Sequence, residues 1–443
     1  MLKKSTFWLI LMLSMLLPLI TACGPNTSPV TTSSAVSTLP PGENVYVLDG
    51  YAPQSTAGTS QHIVAFHSGS ANPTSLISLP TGLTSMDHHK LYVATAKGGQ
   101  TTINVINTQN GTMLRSLVIP GTYSTAGQGF SKAVTSSDGH WLALRQQGQN
   151  NNATTIALID TQAGRLVKTI QLNGDFDLDA LSPDGTSLYL LQKLSDGSGH
   201  YYVKLYNVNE SKLYDNAIVD KTEINERMTG VALVRQMAGD GTSAYTLYTN
   251  TSENEAFVHI LPLDGEAFPF ARCVDLPTGN SSNLLHYYTL TLSPDGGTLY
   301  AVNAALGVAS VIHLDNNGTS NIFNDQVVST IHFNPGKANP NSDASRMLYN
   351  GAVLSPDGKM LYAVGMNGIW AINASDLQVK RNSVTQYLPE KSFTGIALSA
   401  DGHTLYAVDP GHGITVFDTI TKQVMQVIRG PAHAPWGIEW ISN

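Results

Sequence analysis

Leu292-Ser-Pro-Asp-Gly296, followed by Leu299-Tyr300, is the stretch that decides the fold. Pro fixes φ at the first corner of a tight turn, Asp bonds back to its own backbone, and Gly adopts the positive φ that closes a hairpin. Copies of this pattern, close or loose, occur at 136–139, 181–185, 354–358 and 398–402, each with an apolar pair shortly after it. Each copy predicts two strands joined by a sharp turn. A repeat of roughly 45–60 residues that carries several short strands is typical of a β-propeller.

The number of repeats predicts the number of blades. Aligning the chain on the apolar pair gives eight second strands, anchored at Val45, Leu91, Trp141, Leu188, Ala244, Leu299, Leu361 and Leu405. The first unit has no innermost strand of its own, whereas the chain ends with a surplus apolar strand, 436–442. We therefore predict an all-β propeller of eight four-stranded blades, closed by the C-terminal strand within blade one. Seven blades are the alternative, because the turn of the fifth unit, 231–241, is stretched and degenerate.

The N-terminal segment has the features of a bacterial lipoprotein signal. Lys3 and Lys4 precede an apolar run, and the small pair Thr21-Ala22 stands directly before Cys23. An uncleaved membrane anchor and an ordinary signal peptide are the alternatives. Multiple acylation of Cys23 would give a durable anchor in the cell envelope, since a single acyl chain binds a membrane only marginally.

These signals divide the 443 residues into three parts. We predict a signal peptide over 1–22, a linker rich in Ser, Thr and Pro over 23–43, and a single β-propeller domain over 44–443. At roughly 5–6 Å times the square root of its length, the linker has a relaxed reach of about 25 Å. The chain is therefore expected to be extracytoplasmic and membrane-anchored.

The net charge limits the classes of binding partner, and the cysteine content limits disulfide formation. Cleavage before Cys23 removes Lys3 and Lys4 from the 24 basic residues and leaves 22 against 32 acidic ones, a formal net charge of −10. This balance disfavours nucleic acid and anionic surfaces. The second cysteine, Cys273, then has no partner for an intramolecular disulfide, and its strand-like surroundings predict a buried thiol.

The strands that follow the turns resemble a known repeat. They read Tyr92-Val-Ala-Thr95, Tyr300-Ala-Val-Asn303, Tyr362-Ala-Val-Gly365 and Tyr406-Ala-Val-Asp409. These segments resemble the Tyr-Val-Thr-Asn signature of the YVTN-repeat family of bacterial surface β-propellers, over most of 44–443. The related families include lactonase-like enzymes and quinoprotein-like propellers, so the resemblance implies a fold and leaves the activity open.

Loop lengths predict which face of the ring is functional. The turns between strands one and two, and most turns between strands three and four, are short and share one face. The long segments connect strands two and three or adjacent blades, on the opposite face, and they are 50–61, 146–153, 192–199, 250–255, 277–285 and 334–345. Loop growth on one face of a rigid ring is how such scaffolds acquire binding surfaces. Neutral insertion is the alternative, because surface loops tolerate extra length at small cost.

Polar and aromatic residues near the long loops are the candidates for a binding surface. They are Tyr123, His286, Tyr287, Arg346, Tyr349, His412, His433 and Trp436. His412 and His433 belong to the last unit and could approach each other, but no carboxylate stands at metal-ligand spacing, so no metal site is predicted. For Trp436, the alternative to the binding surface is a position in the hydrophobic core. The Asp residues of the repeated turns, such as Asp295, are accounted for by turn geometry and need no binding role.

Recognisable catalytic motifs are absent. The sequence has no nucleophile elbow, Walker loop, His-Glu-x-x-His, Cys-x-x-Cys or haem-attachment motif. We therefore favour a monomeric binding or interaction module at the cell surface, without a cofactor, whose ligand is a protein, a glycan or a small molecule. The first alternative is an extracytoplasmic lactonase-like hydrolase using His286, His433 and Arg346. A quinone-dependent redox propeller is the second, disfavoured because an anionic quinone needs compensating cations.

Overall fold

The computed structural model describes residues 42–50, 61–125, 132–148, 152–225, 227–264, 269–315, 324–336 and 348–442. Within these ranges the strands form eight four-stranded antiparallel sheets, arranged as the blades of one propeller. This confirms the predicted fold class and the count of eight over seven. The signal peptide, Cys23 and most of the linker lie outside the described residues, as does Arg346.

The first four blades are built from consecutive strands, except that blade one takes its innermost strand from the end of the chain. Blade one contains β1 (Asn44–Asp49), β2 (His62–His67) and β3 (Ser75–Pro80). Blade two contains β4 (Leu83–Thr84), β5 (Lys90–Lys97), β6 (Gln100–Asn107) and β7 (Met113–Pro120). Blade three contains β8 (Ala133–Thr135), β9 (Trp141–Arg145), β10 (Ala153–Asp160) and β11 (Arg165–Asn173). Blade four contains β12 (Phe176–Leu181), β13 (Ser187–Lys193), β14 (Tyr201–Asn207) and β15 (Lys212–Ile218).

The other four blades follow the same order, from the innermost strand outward. Blade five contains β16 (Val231–Met237), β17 (Ser243–Asn250), β18 (Glu255–Pro262) and β19 (Arg272–Asp275). A 3₁₀ helix (Ser282–Tyr287) precedes blade six, which contains β20 (Tyr288–Leu292), β21 (Thr298–Asn303), β22 (Val308–His313) and β23 (Gln326–His332). Blade seven contains β24 (Ala352–Leu354), β25 (Met360–Gly365), β26 (Gly368–Asn373), α1 (Ala374–Gln378) and β27 (Val384–Tyr387). Blade eight contains β28 (Gly395–Leu398), β29 (Thr404–Asp409), β30 (Gly413–Asp418) and β31 (Gln423–Ile428), and β32 (Pro435–Ser442) ends the chain.

The C-terminal strand closes the ring, as predicted. β32 pairs antiparallel with β1 and becomes the innermost strand of blade one. Tyr46 lies opposite Trp440, and their rings stack with centroids 4.3 Å apart. Trp436 and Ile438 of the same strand are also buried. The start and the end of the fold are therefore locked together by apolar packing as well as by a strand ladder.

The repeated turn uses its serine as well as its Asp and Gly. In the copy at 182–187, Ser182 Oγ donates to Asp184 Oδ1 at 2.6 Å, and the Ser187 amide donates to Ser182 Oγ at 2.9 Å. Gly185 has a φ of 72°, in the left-handed region that glycine adopts at little cost. Hydrogen bonds from Ser182 and Thr186 lower the pKa of Asp184 although burial opposes them. The Asp carboxylates of these turns therefore stabilise the turns through local hydrogen bonds.

The buried tyrosines of the second strands connect neighbouring blades. The Tyr92 hydroxyl donates to the Gly139 carbonyl, in the tight turn of blade three, at 2.7 Å. The Tyr406 hydroxyl of blade eight lies 2.8 Å from Ser68 Oγ of blade one. The polar end of each side chain is satisfied by the next blade while its ring fills the space between sheets.

The two faces of the ring differ as predicted, with three exceptions. We call the face of the repeated turns the tight-turn face and the opposite one the long-loop face. The connections between strands three and four in blades five, six and seven span 263–271, 314–325 and 374–383, so the tight-turn face is not uniformly short. The last of these contains α1, capped by Asn373, whose side chain accepts from the Asp376 amide. Among the described residues, no helix is long and apolar enough to cross a membrane.

Candidate functional site

A cavity of about 720 Å³ opens between blades four and five on the long-loop face. Its walls are the innermost strands β12 and β16, the end of β13 and the loop 194–200. This volume falls within the range of about 300–1,000 Å³ that holds small ligands. We call it the blade 4/5 pocket. Its lining residues that bear charge or hydrogen-bonding groups are Asp175, Asp177, Asp179, Lys193, His200, Tyr201, Arg235 and Tyr248.

The rim of the pocket is a network of paired charges. Asp175 and Asp177 alternate along the chain and both line the pocket. Arg145 Nη2 lies 2.7 Å from Asp175 Oδ1, and Lys193 Nζ lies 2.9 Å from Asp177 Oδ2. Each cation also approaches the other carboxylate, at 3.5 Å for Arg145 and 3.8 Å for Lys193. Such a network holds donors and acceptors in fixed positions at the mouth of the pocket.

The floor contains a buried ion pair. The Arg235 guanidinium donates to Asp179 Oδ1 and to the Asp179 carbonyl, and its Nε donates to Thr246 Oγ1 at 2.8 Å. The side chains of Arg235 and Asp179 are only 8% and 2% exposed. Asp179 Oδ2 is buried and accepts no hydrogen bond from the described residues. Because an unpaired buried carboxylate oxygen is costly, a donor that enters the pocket would find a prepared acceptor there.

Irregular strand pairing aims these side chains. The pairing of β12 with β13 skips Asp179, and the pairing of β16 with β17 skips Leu233. Such β-bulges bend a strand and redirect its side chains, and they are frequent beside functional sites. Both walls of the pocket therefore carry the same kind of distortion.

Burial keeps the aromatic groups around the floor uncharged. It raises the pKa of Tyr201 and of Tyr248. His259 lies behind Tyr248, with ring centroids 6.1 Å apart, and burial lowers its pKa to about 4. At neutral pH these three side chains are neutral. Apart from His200, the charged groups that line the pocket are three carboxylates and the cations Lys193 and Arg235. Arg145, which pairs with Asp175 from outside the lining, supplies the third positive charge.

A second, smaller cavity of about 280 Å³ lies beside the first, on the outer side of blade five. Arg227, Glu255 and Asp275 contribute charge to it, and Cys273 lines its wall. Cys273, predicted to be a buried thiol, is only half-buried, because it lies on the short outer strand β19. Within the described ranges, no group of three or more His, Cys, Asp or Glu residues is placed to hold a metal ion.

The aromatic candidates proposed from sequence are mostly buried. Tyr123, Tyr287 and Trp436 are no more than 3% exposed, so their rings are packed in the fold. Tyr349 is half-buried and lies against Gly437, and it belongs to the same apolar cluster as Trp436. The structure thus brings Tyr349 and Trp436 together, in the core position that was the alternative for Trp436.

The histidine candidates lie elsewhere on the long-loop face. His412 is exposed, with Nδ1 2.9 Å from Asp409 Oδ1. The exposed His433 donates its backbone amide to Asp49 Oδ2 at 3.0 Å. His286 packs against Tyr287, with ring centroids 4.2 Å apart. No described member of the candidate set lines the blade 4/5 pocket.

The pocket residues were missed although the sequence carried a signal for them. Asp175-Phe-Asp-Leu-Asp179 places three carboxylates on or beside an innermost strand, in a chain with only 13% charged residues. Innermost strands pack against neighbouring blades, so repeated charge there is unusual. The segment 192–199, identified from its length, does form part of the pocket wall.

The fold and the pocket define an eight-bladed β-propeller with a charge-lined cavity on its long-loop face. No family model matches the sequence, and no curated protein does. Among solved structures, the dihydro-heme d1 dehydrogenase NirN, in complex with DHE, is 14% identical with a TM-score of 0.51, over 89% of this chain and 74% of its own. AztD from Citrobacter koseri, in its apo form, is 10% identical with a TM-score of 0.50, over 90% of this chain and 97% of its own.

A looser similarity links the chain to the periplasmic gluconolactonase PpgL from Pseudomonas aeruginosa. The identity is 16% and the TM-score 0.39, over 80% of this chain and 99% of that one. The two structures with TM-scores of 0.51 and 0.50 show the propeller fold, and at these identities no comparison carries information about the ligand.

Proposed function

We propose that this chain is a lipid-anchored, extracytoplasmic β-propeller of the YVTN-repeat type that binds a small polar molecule in the blade 4/5 pocket. The observation that carries the proposal is the network of three carboxylates and three cations around a 720 Å³ cavity. The anchor rests on the sequence before Cys23. The propeller acts as a monomeric binding module at the cell surface.

The charge balance indicates the class of ligand. Each cation of the pocket is paired with a carboxylate, so no net charge is left to attract an ion. The paired groups still have lone pairs and N–H bonds that can reach a hydroxyl or a carbonyl group. A neutral, polyhydroxylated molecule such as a sugar fits this chemistry best. A redox role with an anionic quinone gains no support, because the described cations of the pocket are already compensated.

Isothermal titration calorimetry with a panel of sugars and neutral metabolites tests the proposal. Lys193→Met should weaken binding at least about tenfold, because it removes a charged donor from the rim. Lys359→Met is the matched control, since Lys359 also lies 2.9 Å from an Asp oxygen but on the tight-turn face. Equal affinities for the two variants would refute the assignment of the pocket.

A lactonase-like hydrolase is the second candidate, supported by the Asp179–Arg235 pair. The unpaired Asp179 Oδ2 could accept a proton from an attacking water, and the adjacent guanidinium could stabilise the oxyanion. His286, His433 and Arg346, the participants first suggested, are not among the described residues of this pocket. An assay that measures acid release during the hydrolysis of sugar lactones tests this hydrolase role. Activity that survives in a folded Asp179→Asn variant would exclude this role.

A further inference from the structure

Exposed apolar side chains are distributed unevenly around the outer rim of the ring. Near the tight-turn face, the outermost strands of blades one, two and eight present Leu76, Met113, Leu114 and Val424, and Ile420 lies in the adjacent turn of blade eight. All five are exposed. In blades three, four and five, the outermost strands begin instead with Arg165, Lys212 and Arg272. Blades six and seven contribute one exposed apolar residue each, Val328 and Val379, so the largest group of such side chains, the apolar arc, lies on blades eight, one and two.

The chain enters the fold beside the apolar arc. Asn44 lies opposite Ser442, at the tight-turn end of blade one. The residue before it, Glu43, accepts a hydrogen bond from the Ala400 amide, in the tight turn of blade eight. The described part of the chain therefore begins at this face, between blades eight and one.

We infer that this arc, formed by Leu76, Met113, Leu114, Ile420 and Val424, docks against the lipid bilayer in which Cys23 is anchored. The inference rests on the proposed lipid anchor. Single exposed apolar residues are ordinary on protein surfaces. Here they occupy three consecutive blades beside the point where the described chain begins. The predicted linker, with a relaxed reach of about 25 Å, would keep this arc near the membrane. Apolar side chains at the level of the headgroups then add to the binding that the acyl chains supply.

This orientation places the blade 4/5 pocket far from the bilayer. In a ring of eight, blade four stands opposite blade eight and blade five opposite blade one. The pocket also opens on the long-loop face, whereas the docking arc borders the tight-turn face. The lipid surface therefore holds the pocket open toward the medium.

Fluorescence quenching by lipids tests the docking arc in the full lipidated chain. A single cysteine that carries an environment-sensitive dye is placed at Met113 or at Val118, in a Cys273→Ser background. The two positions are matched, since they lie near opposite ends of β7 and are 60% and 55% exposed. In phosphatidylcholine–phosphatidylglycerol vesicles with nitroxide-labelled acyl chains, we expect about twofold quenching at Met113 and little at Val118. A dye at Leu76 should lose its quenching when Met113 and Leu114 are both changed to Asp.

The outcomes separate the docking arc from the anchor. Flotation of the vesicles first isolates the membrane-bound chain, and a Cys23→Ser chain floated beside it reports on the contribution of the lipid at Cys23. Equal quenching at Met113 and Val118 in the floated chain, or none at either, would overturn the docking arc while leaving the anchor intact. If the dye at Met113 is shielded only in native envelopes, the arc contacts a protein partner, and this result would likewise overturn docking to lipid. A chain that does not float refutes the anchor, and the docking arc with it.

Discussion

Asp179 and Arg235 form the residue pair on which the pocket floor depends. Removal of one partner leaves a buried, uncompensated charge, and this costs about 3–5 kcal/mol in other proteins. We expect Asp179→Leu to lower the free energy of unfolding by about this amount. The double variant Asp179→Leu/Arg235→Met should recover most of the loss, since it removes both charges.

Urea unfolding of the two single variants and the double variant measures this coupling. Thr246 receives a hydrogen bond from Arg235, so Thr246→Val serves as a control that keeps both charges. Losses that simply add in the double variant would contradict a stabilising pair.

His259 predicts how stability responds to acid. Its pKa in the fold is about 4, below its ordinary value of 6.5, because burial disfavours the charged ring. The unfolded chain therefore binds a proton first, and stability falls as the pH drops from about 6.5 toward 4. The loss should be on the order of 3 kcal/mol.

Thermal unfolding of the wild type and of His259→Asn, between pH 7 and pH 4, checks this prediction. The variant should lose less stability than the wild type over that range. The difference between the two proteins is the relevant quantity, because burial raises the pKa of Asp325 to about 6 and this group acts in the opposite direction. Parallel pH profiles would show that His259 does not titrate as we expect.

At the scale of single residues, sequence patterns predicted what is local. The roles of Asp184 and Gly185 follow from the chemistry of a tight turn, which needs no distant partner. The pairing of Asp179 with Arg235 could not be read in the same way, because 56 residues separate them. Tyr123 and Trp436 are buried, because an aromatic residue near a loop can equally well fill the space between blades.

The C-terminal strand is the element whose removal should have the largest effect. Without 435–443, β1 would become an open sheet edge, and Tyr46 would lose its stacking partner Trp440. Burial of each large apolar side chain is worth roughly 1.5–3 kcal/mol, and Trp436, Ile438 and Trp440 are all buried. We expect the truncated chain to melt at a markedly lower temperature or to aggregate.

Differential scanning calorimetry and size-exclusion chromatography measure the effect of the truncation. Trp440→Leu, which keeps the strand but removes the stack, should lie between the truncated and the full-length chain. A truncated protein that melts like the full-length one would contradict ring closure by this strand.

At the scale of elements, the sequence predicted strands well and irregularities poorly. The apolar pairs mark the second strand of every blade because that strand is buried on both faces. The bulges at Asp179 and Leu233, and the long connections 314–325 and 374–383, depend on packing between blades. They leave no periodic signal along the chain.

On the scale of the whole molecule, the apolar arc and the blade 4/5 pocket lie on different faces and on opposite sides of the ring. The described chain begins beside the apolar arc, at the tight-turn face of blades eight, one and two. The pocket lies across the ring on the long-loop face. Loop lengths predicted a functional long-loop face, and the blade 4/5 pocket opens there, but a cavity of about 770 Å³ also lies on the tight-turn face of blades five and six. Loop lengths could not select the blades, because long loops occur around most of the ring.

Hydrogen exchange with a bound ligand distinguishes the pocket from the candidates first suggested by the sequence. We expect slower exchange over 194–200 and 228–232, because a ligand between blades four and five covers these segments. The segments 410–413 and 430–434, which carry His412 and His433, should exchange as in the free protein. The tight turns at 183–186 and 356–359 provide an internal control on the other face. Protection confined to 410–413 and 430–434 would move the binding site to blades eight and one, and protection of the tight turns would reverse the functional face.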